Sequence, residues 1–274
     1  MKNYLLLFLF VITLSSCEDV IQMEVKKGKD AFVVEGWITN QPDYNFVNLY
    51  ITVPYFDKPD YRPVSGATVQ ISDDMGHTEK LTETEPGKYK LIKLEGKVGR
   101  TYKLEIESSQ GKYEALAKLQ PLSWPIDSVT YIFKKKTVII PNEGYYPAIY
   151  GQEKKGTGDF TRLKIYRNGA LLQSAGEINL FNDEFVDGNY IKALEPALKE
   201  PFKKNDDVRY EMWSLTENAY RFWMDIKMQL NNGGLFAAPG TNVRTNIIRT
   251  DPKTLDATGY FGASEVVRFE NMVK

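Results

Sequence analysis

The chain has 274 residues, with 36 acidic and 35 basic side chains, one histidine and one cysteine. That balance, without any basic block, argues against a nucleic-acid partner, and a single cysteine excludes a disulfide within the chain. The length is ample for one large or two medium domains, and alternating Thr, Val and Ile with 17 Tyr and 14 Phe favour strands.

Met1-Lys2-Asn3 is a short basic start, and Tyr4 to Leu14 runs apolar without a charge. Such a run is too short to span a bilayer comfortably and carries the flanks of a signal peptide. Its end, Leu14-Ser15-Ser16-Cys17, resembles a bacterial lipobox. The resemblance implies that residues 1–16 are removed and that Cys17 is acylated as the new N-terminus. The alternative is an ordinary cleaved signal with Cys17 an incidental thiol, which exported proteins seldom keep. Each buried methylene contributes about 0.8 kcal/mol, so two or three acyl chains hold a protein stably on a membrane. Glu18-Asp19 resembles the signal that carries Bacteroidota lipoproteins to the outer face of the outer membrane. It also reads as the solvated start of a charged tether over residues 17–30. Surface exposure is the expectation.

Ala31 to Thr39 and Phe46 to Val53 alternate as strands around the turn residues Asn40-Gln41-Pro42-Asp43. Pro54 to Pro63, with three prolines and three aromatics, predicts a stiff exposed loop. Next come short strands at Ala67–Ile71, Thr78–Thr82, Lys88–Leu91, Thr101–Ile106 and Lys112–Leu119, separated by glycine-centred turns. This spacing predicts an all-β sandwich over 31–120, closed by a linker at Pro121 to Pro125. Ser128 to Ile140 reads as a strand pair or one long strand, and Tyr145 to Gly158 as a loop region rich in Tyr and Gly. Arg162 to Tyr166 is a strand turned at Asn168-Gly169, and Val208 to Trp213 alternates again. Ser214-Leu215-Thr216-Glu217 then reads as a capping box opening a helix at about 215–230. Leu215, Ala219, Phe222, Trp223, Ile226 and Leu230 form its apolar face, and Asn231 to Gly234 its stop. Tyr260 to Phe269 closes the chain as a final strand. The expected second domain is 125–274.

His77 follows the tight turn Asp73 to Gly76, where a solvent-facing, non-catalytic role is expected. Zinc would want several His or Cys ligands, whereas carboxylates alone suit calcium or magnesium. The best carboxylate run is Asn182 to Asn189. Aligned to a calcium loop it puts Asp183, Asp187 and Gly188 in register, but Phe185 and Leu194 occupy essential ligand positions. A turn between strands is expected there, with no metal and no cofactor. Paired carboxylates for glycoside hydrolysis are favoured by no local motif. The glycines from Gly233 to Gly240 follow a helix and lack the Gly-Lys-Ser/Thr ending of a phosphate loop. Tyr44, Tyr50, Tyr55, Phe56 and Tyr61 crowd the proline-rich loop, as a recognition surface or as packing. Tyr55, Phe56 and Phe236 form the candidate binding surface; the competing account makes Phe56 and Phe236 buried plugs.

The lipobox is followed by Val33-Val34-Glu35-Gly36-Trp37-Ile38-Thr39, Pro54-Tyr55-Phe56-Asp57 and Pro63-Val64-Ser65-Gly66-Ala67-Thr68-Val69. Later come Gly99-Arg100-Thr101-Tyr102, Asp183-Glu184-Phe185, Phe236-Ala237-Ala238-Pro239, Asn242 to Asn246 and Gly259 to Ser264. This order resembles the Bacteroidota lipoprotein family catalogued as domain of unknown function 4249. The resemblance implies an outer-membrane lipoprotein without assigned activity, an accessory to a TonB-dependent receptor in uptake. Val64 to Ala117 separately resembles the β-sandwich of carboxypeptidase regulatory-like domains, which are scaffolding modules.

The reading is a mainly β protein: an Ig-like or prealbumin-like sandwich, then a β-rich domain with one amphipathic helix. Its expected function is a non-catalytic, membrane-anchored accessory or binding lipoprotein. An envelope hydrolase working through carboxylates on polysaccharide or peptide, and a structural or adhesion module, are the alternatives.

Overall fold

The computed structural model describes residues 28–54, 61–232 and 242–274. The leader, Cys17, Tyr55, Phe56 and Phe236 lie outside the described residues. The fold is mainly β. Its first strands are β1 (Phe32–Thr39), β2 (Phe46–Ile51), β3 (Arg62–Pro63), β4 (Thr68–Asp73) and β5 (Thr78–Lys80). They continue as β6 (Thr82–Glu85), β7 (Lys88–Lys90), β8 (Thr101–Ser108) and β9 (Gly111–Lys118). The next group is β10 (Ser128–Lys134), β11 (Gly144–Gln152), β12 (Phe160–Arg167), β13 (Ala170–Leu172), β14 (Asn179–Asn182) and β15 (Tyr190–Leu194). β16 (Asp207–Leu215) leads into helix α1 (Glu217–Leu230), and β17 (Ile248–Arg249), β18 (Ala257–Ser264) and β19 (Val266–Met272) close the chain.

Two sheets form the first sandwich, in strand orders β18-β1-β2-β7-β6, with β3 on β2, and β17-β9-β8-β4-β5. Period-2 alternation sends Phe32 and Val34 of β1, Val69 and Ile71 of β4, and Leu104 and Ile106 of β8 into one core. Buried Tyr89, Tyr102 and Tyr113 keep their hydroxyls paired with backbone: Tyr89 accepts from the Ala67 N–H at 2.9 Å and Tyr102 from Lys97 at 2.7 Å, while Tyr113 donates to the Gln110 carbonyl at 2.9 Å. Thr78 to Thr82, expected as one strand, is broken at buried Leu81. β5 pairs with β4 in one sheet and β6 with β7 in the other, so the chain changes sheets at that residue.

The first sandwich does not end at Gln120. β17 pairs with β9, and β18 lies parallel to β1 over its whole length, from Phe32 opposite Ala257 to Thr39 opposite Ser264. Ile247, Phe261 and Ala263 join the first core. A parallel neighbour needs a long crossover, and here the connection from β1 to β18 runs through the rest of the first sandwich and all of the second except β19. Pro121 to Pro125, expected as a linker, packs as well as connects: Leu122 and Trp124 are buried in the second core.

That second core lies between the sheet β10-β11-β15 and the sheet β13-β12-β16-β19, with β14 on β12. The Tyr- and Gly-rich stretch expected as a loop is largely strand β11, which buries Ala148 and Ile149. Asn168-Gly169 turns the β12–β13 hairpin with φ of 50° and 82°, as a type I′ turn requires. Tyr260 to Phe269 is two strands, not one. The chain breaks pairing at Glu265, where the Ser214 hydroxyl accepts the Glu265 N–H at 2.8 Å and donates to the Gln120 carbonyl at 2.7 Å. Ser214 therefore does not cap the helix. Thr216 does, its hydroxyl accepting from the Ala219 N–H at 3.3 Å, while Glu217 pairs with Arg221.

Helix α1 packs its Ala219 and Phe222 face on Trp37, Trp213, Tyr260 and Val266, a third core that joins strands of both sandwiches. Fully buried Glu211 beside it accepts from the hydroxyls of Tyr44 and Tyr166 and from the Trp213 indole, and pairs with Arg209 at 3.1 Å. Lys164 lies 3.3 Å from the Trp213 ring centroid; burial and then the Arg162 charge pull its amine down to about 7. Among the described residues, no helix is long and apolar enough to cross a membrane.

Candidate functional site

The densest group of unexplained polar chemistry lies where β11 ends and β12 begins. β11 ends at Gln152 and delivers Glu153 as the next residue, its N–H still donating to the Asn189 carbonyl at 3.1 Å. The chain then loops through Lys154 to Asp159, and two of that loop's amides point at Asp183: Gly158 and Asp159 donate to its Oδ2 at 2.8 and 3.1 Å. Gly156 donates to Asp187 Oδ1 at 2.6 Å. In return the Gly188 N–H donates to Glu153 Oε2 at 2.5 Å. The 153–159 loop and the 183–189 turn are thus laced together by carboxylate-to-amide bonds, and the turn is closed by Val186 and Asp187 donating to the Asp183 carbonyl at 2.9 and 3.0 Å.

The lacing gathers carboxylates. Ligand oxygens of Glu153, Asp159 and Asp183 all fall within 4.8 Å of one another. Glu153 is 2 % exposed and Asp183 6 %. Two full charges at that distance or less would repel by at least about 3 kcal/mol at an effective dielectric of about 20. Burial, then the Asp159, Asp183 and Asp187 charges, push the Glu153 carboxyl up against the opposing Gly188 N–H. Burial, Asp183 and Asp187 likewise raise Asp159, opposed by Lys154 and the Ser123 hydroxyl. The carboxylates form one side of a cavity of about 110 Å³ whose other walls include Trp124, Phe181, Val186 and Leu194. Glu153 Oε1 and Trp124 Nε1 are both buried without a hydrogen-bond partner, the indole nitrogen lying against Gly151.

On the other side of Asp183 an open groove of about 490 Å³ runs along α1. Phe160, Tyr220, Met224 and Met228 give it apolar walls, and Asp183, Glu184, Glu217, Arg221, Asp225 and Arg244 line it with charge. The Asp183–Glu184 turn is common to both concavities.

Of the residues singled out in the sequence, Asp183, Asp187 and Gly188 do form a turn between β14 and β15. Glu153 and Asp159 were missed, because nothing in a lone Glu after a strand or a lone Asp before one signals convergence. Of the crowded aromatics, Tyr44 is half-buried on Glu211, and Tyr50 and Tyr61 pack with ring centroids 4.8 Å apart, half-buried and exposed respectively. His77 sits on its turn with its side chain 59 % exposed, and its ring lies 3.0 Å from both oxygens of Asp73. It is a hydrogen-bonding partner of a buried carboxylate that also pairs with Arg100.

The chain belongs to the family described as domain of unknown function DUF4249, whose model matches residues 18–270. No curated protein matches the chain. The family assignment thus covers both sandwiches and the helix, and carries no activity with it.

Proposed function

We propose that this chain is a non-catalytic binding lipoprotein, anchored by acyl chains on Cys17 to the outer membrane of a Bacteroidota cell. It faces the cell surface and works as an accessory of a TonB-dependent receptor in nutrient uptake. The observation that carries the binding role is the groove along α1. Its volume of about 490 Å³ falls in the ~300–1,000 Å³ range of small-molecule sites, and methionine-lined walls adapt to varied apolar shapes. The anchor is supported by the leader and lipobox, and by a family match that starts at residue 18, directly after Cys17. Tyr55, Phe56 and Phe236 remain part of the proposed recognition surface. A tether adds effective concentration, so a modest intrinsic affinity for a membrane partner suffices. The hydrolase alternative has less support: Asp183 also lines the groove, but Glu153 and Asp159 face the cavity of about 110 Å³, too small for a sugar or peptide substrate.

The test has two arms. Cys17→Ser should release the protein from the outer-membrane fraction, and mass spectrometry of the wild type should find an acylated N-terminus at residue 17. Met224→Ser with Met228→Ser should leave melting unchanged and reduce co-purification of outer-membrane partners with the lipidated protein. An unlipidated wild type, or a mature start elsewhere, overturns the anchor. Partner recovery unaffected by the methionine changes overturns the groove.

A further inference from the structure

We propose that Glu153, Asp159 and Asp183 are ligands of a divalent cation of the calcium class, which pins the 183–189 turn to the 153–159 loop. The site stands apart from the envelope assignment and does not depend on it.

The first observation is an orphaned acceptor. Glu153 spends Oε2 on the Gly188 N–H, while Oε1 is buried with nothing to accept from. An unpaired buried carboxylate oxygen is costly, so native structures supply a partner, whether protein, water or ion. The second is spacing. Oxygens that all lie within 4.8 Å of one another are close enough to share one cation at Ca–O distances of about 2.4 Å. The third is donor chemistry. Three carboxylates without histidine or thiolate form a hard oxygen set, which suits calcium and serves zinc poorly.

Lys154 offsets part of the Asp159 charge but forms no ion pair with the group. Lys154 Nζ donates to the Leu122 carbonyl at 2.9 Å, and Lys155 packs its stem against Gly188. The competing occupant is a water on Glu153 Oε1. Water would serve the orphaned acceptor without answering the mutual repulsion of three adjacent carboxylates, whereas a cation answers the charge as well.

The sequence read alone placed Asp183 and Asp187 in a failed calcium loop, with Phe185 where a ligand is needed. The fold replaces the missing ligands with Glu153 and Asp159 from another loop. Phe185 is free to point outward, 84 % exposed. A cation here would also fix one wall of the groove, since Asp183 and Glu184 belong to both.

The test uses the full mature protein in detergent, stripped with EDTA. CaCl₂ should raise the melting temperature by about 3–6 °C at a tenfold excess over its dissociation constant, which is expected near ~10⁻⁴–10⁻³ M as in extracellular modules. MgCl₂ should do less. Tb³⁺ should luminesce on tryptophan excitation, through Trp124 in the cavity wall, and Ca²⁺ should quench that signal by displacement. Glu153→Gln and Asp159→Asn should each abolish both responses while melting in EDTA at or above the wild-type temperature. Asp183 is left intact because its side chain holds the loop amides. A wild type indifferent to Ca²⁺ and Tb³⁺, as a water-filled cavity predicts, overturns the proposal. So does a Glu153→Gln protein that responds as wild type, or a response to Mg²⁺ equal to that for Ca²⁺.

Discussion

Asp73 ends β4 with its carboxylate wholly covered, beneath an imidazole and a guanidinium. Burial alone would raise its carboxyl. The backbone N–H and ring of His77, the Met75 N–H and the Arg100 guanidinium outweigh that and hold it at about 2, below its ordinary 3.8. A carboxyl depressed in the fold adds stability that is present above its unfolded value and lost as pH falls toward the folded one. Between pH 4 and 2 the wild type should therefore lose a component of stability that Asp73→Asn lacks. At pH 7 the same change should cost about 1–3 kcal/mol in denaturant unfolding, since it puts an amide against Arg100 and removes a charge-assisted acceptor. The lid over Asp73 is one side chain thick, with His77 59 % exposed, so the effect belongs at the lower end. Equal pH dependence in both proteins would show that the pairing contributes nothing. His77 itself was legible in the sequence as an exposed turn residue. Its partner was not, because Arg100 comes from the turn before β8, a strand that pairs with β4 from far along the chain.

At the scale of elements, legibility followed locality. β1, β2 and the turns at Asp73–Gly76 and Asn168-Gly169 were readable, because alternation and turn chemistry are written in adjacent residues. β11 was not: a strand of Tyr, Pro, Ala and Gly has no clear alternation, and only its partners β10 and β15 make it one. The helix was readable, but its cap was displaced by two residues, because β16 keeps Ser214 for the crossing at Glu265. The candidate site was half readable: Asp183 and Asp187 stand together in sequence, Glu153 and Asp159 come from another loop. β18 shows how a non-local demand appears as a glycine. Gly259 has φ of 92°, and a Cβ there would lie 2.0 Å from the Val34 carbonyl oxygen. Gly76 has φ of 87° with open space around it. Gly76→Ala should cost only the left-handed backbone penalty, about 1–2 kcal/mol. Gly259→Ala adds a clash with a backbone atom of β1 that cannot turn aside, and should cost at least about 3 kcal/mol. Equal losses in thermal unfolding of the two variants would mean that β18 shifts off β1 at little expense.

For the whole molecule, the consequence is that the two sandwiches are not two beads on a string. The chain leaves the first sandwich after β9, builds the second, and returns through β17 and β18 before ending on β19 in the second. The third core, with Trp37 from β1, Trp213 from β16 and Phe222 from α1, ties the units where the chain crosses. A fragment cut at the boundary expected from sequence, residues 28–120, would keep most strands of the first sandwich and lose Ile247, Phe261 and Ala263 from its core. Burial of Phe261 and Ile247 alone contributes about 3–6 kcal/mol, a large part of the 5–15 kcal/mol that holds a typical domain together. The loss also opens the edge of β1 along the eight residues that pair with β18, and an uncovered edge invites strand pairing between copies. The fragment should therefore fail to give a cooperative monomer by circular dichroism and gel filtration. Adding the peptide 246–264 should restore a melting transition if the missing strand is the cause. The intact chain should unfold in one step by tryptophan fluorescence and far-UV dichroism alike, because Trp37, Trp213 and Trp223 report the joint while the strands report both sandwiches. Two separated transitions, or a stable monomeric 28–120 fragment, would show that the units fold independently and that β18 is an appendage.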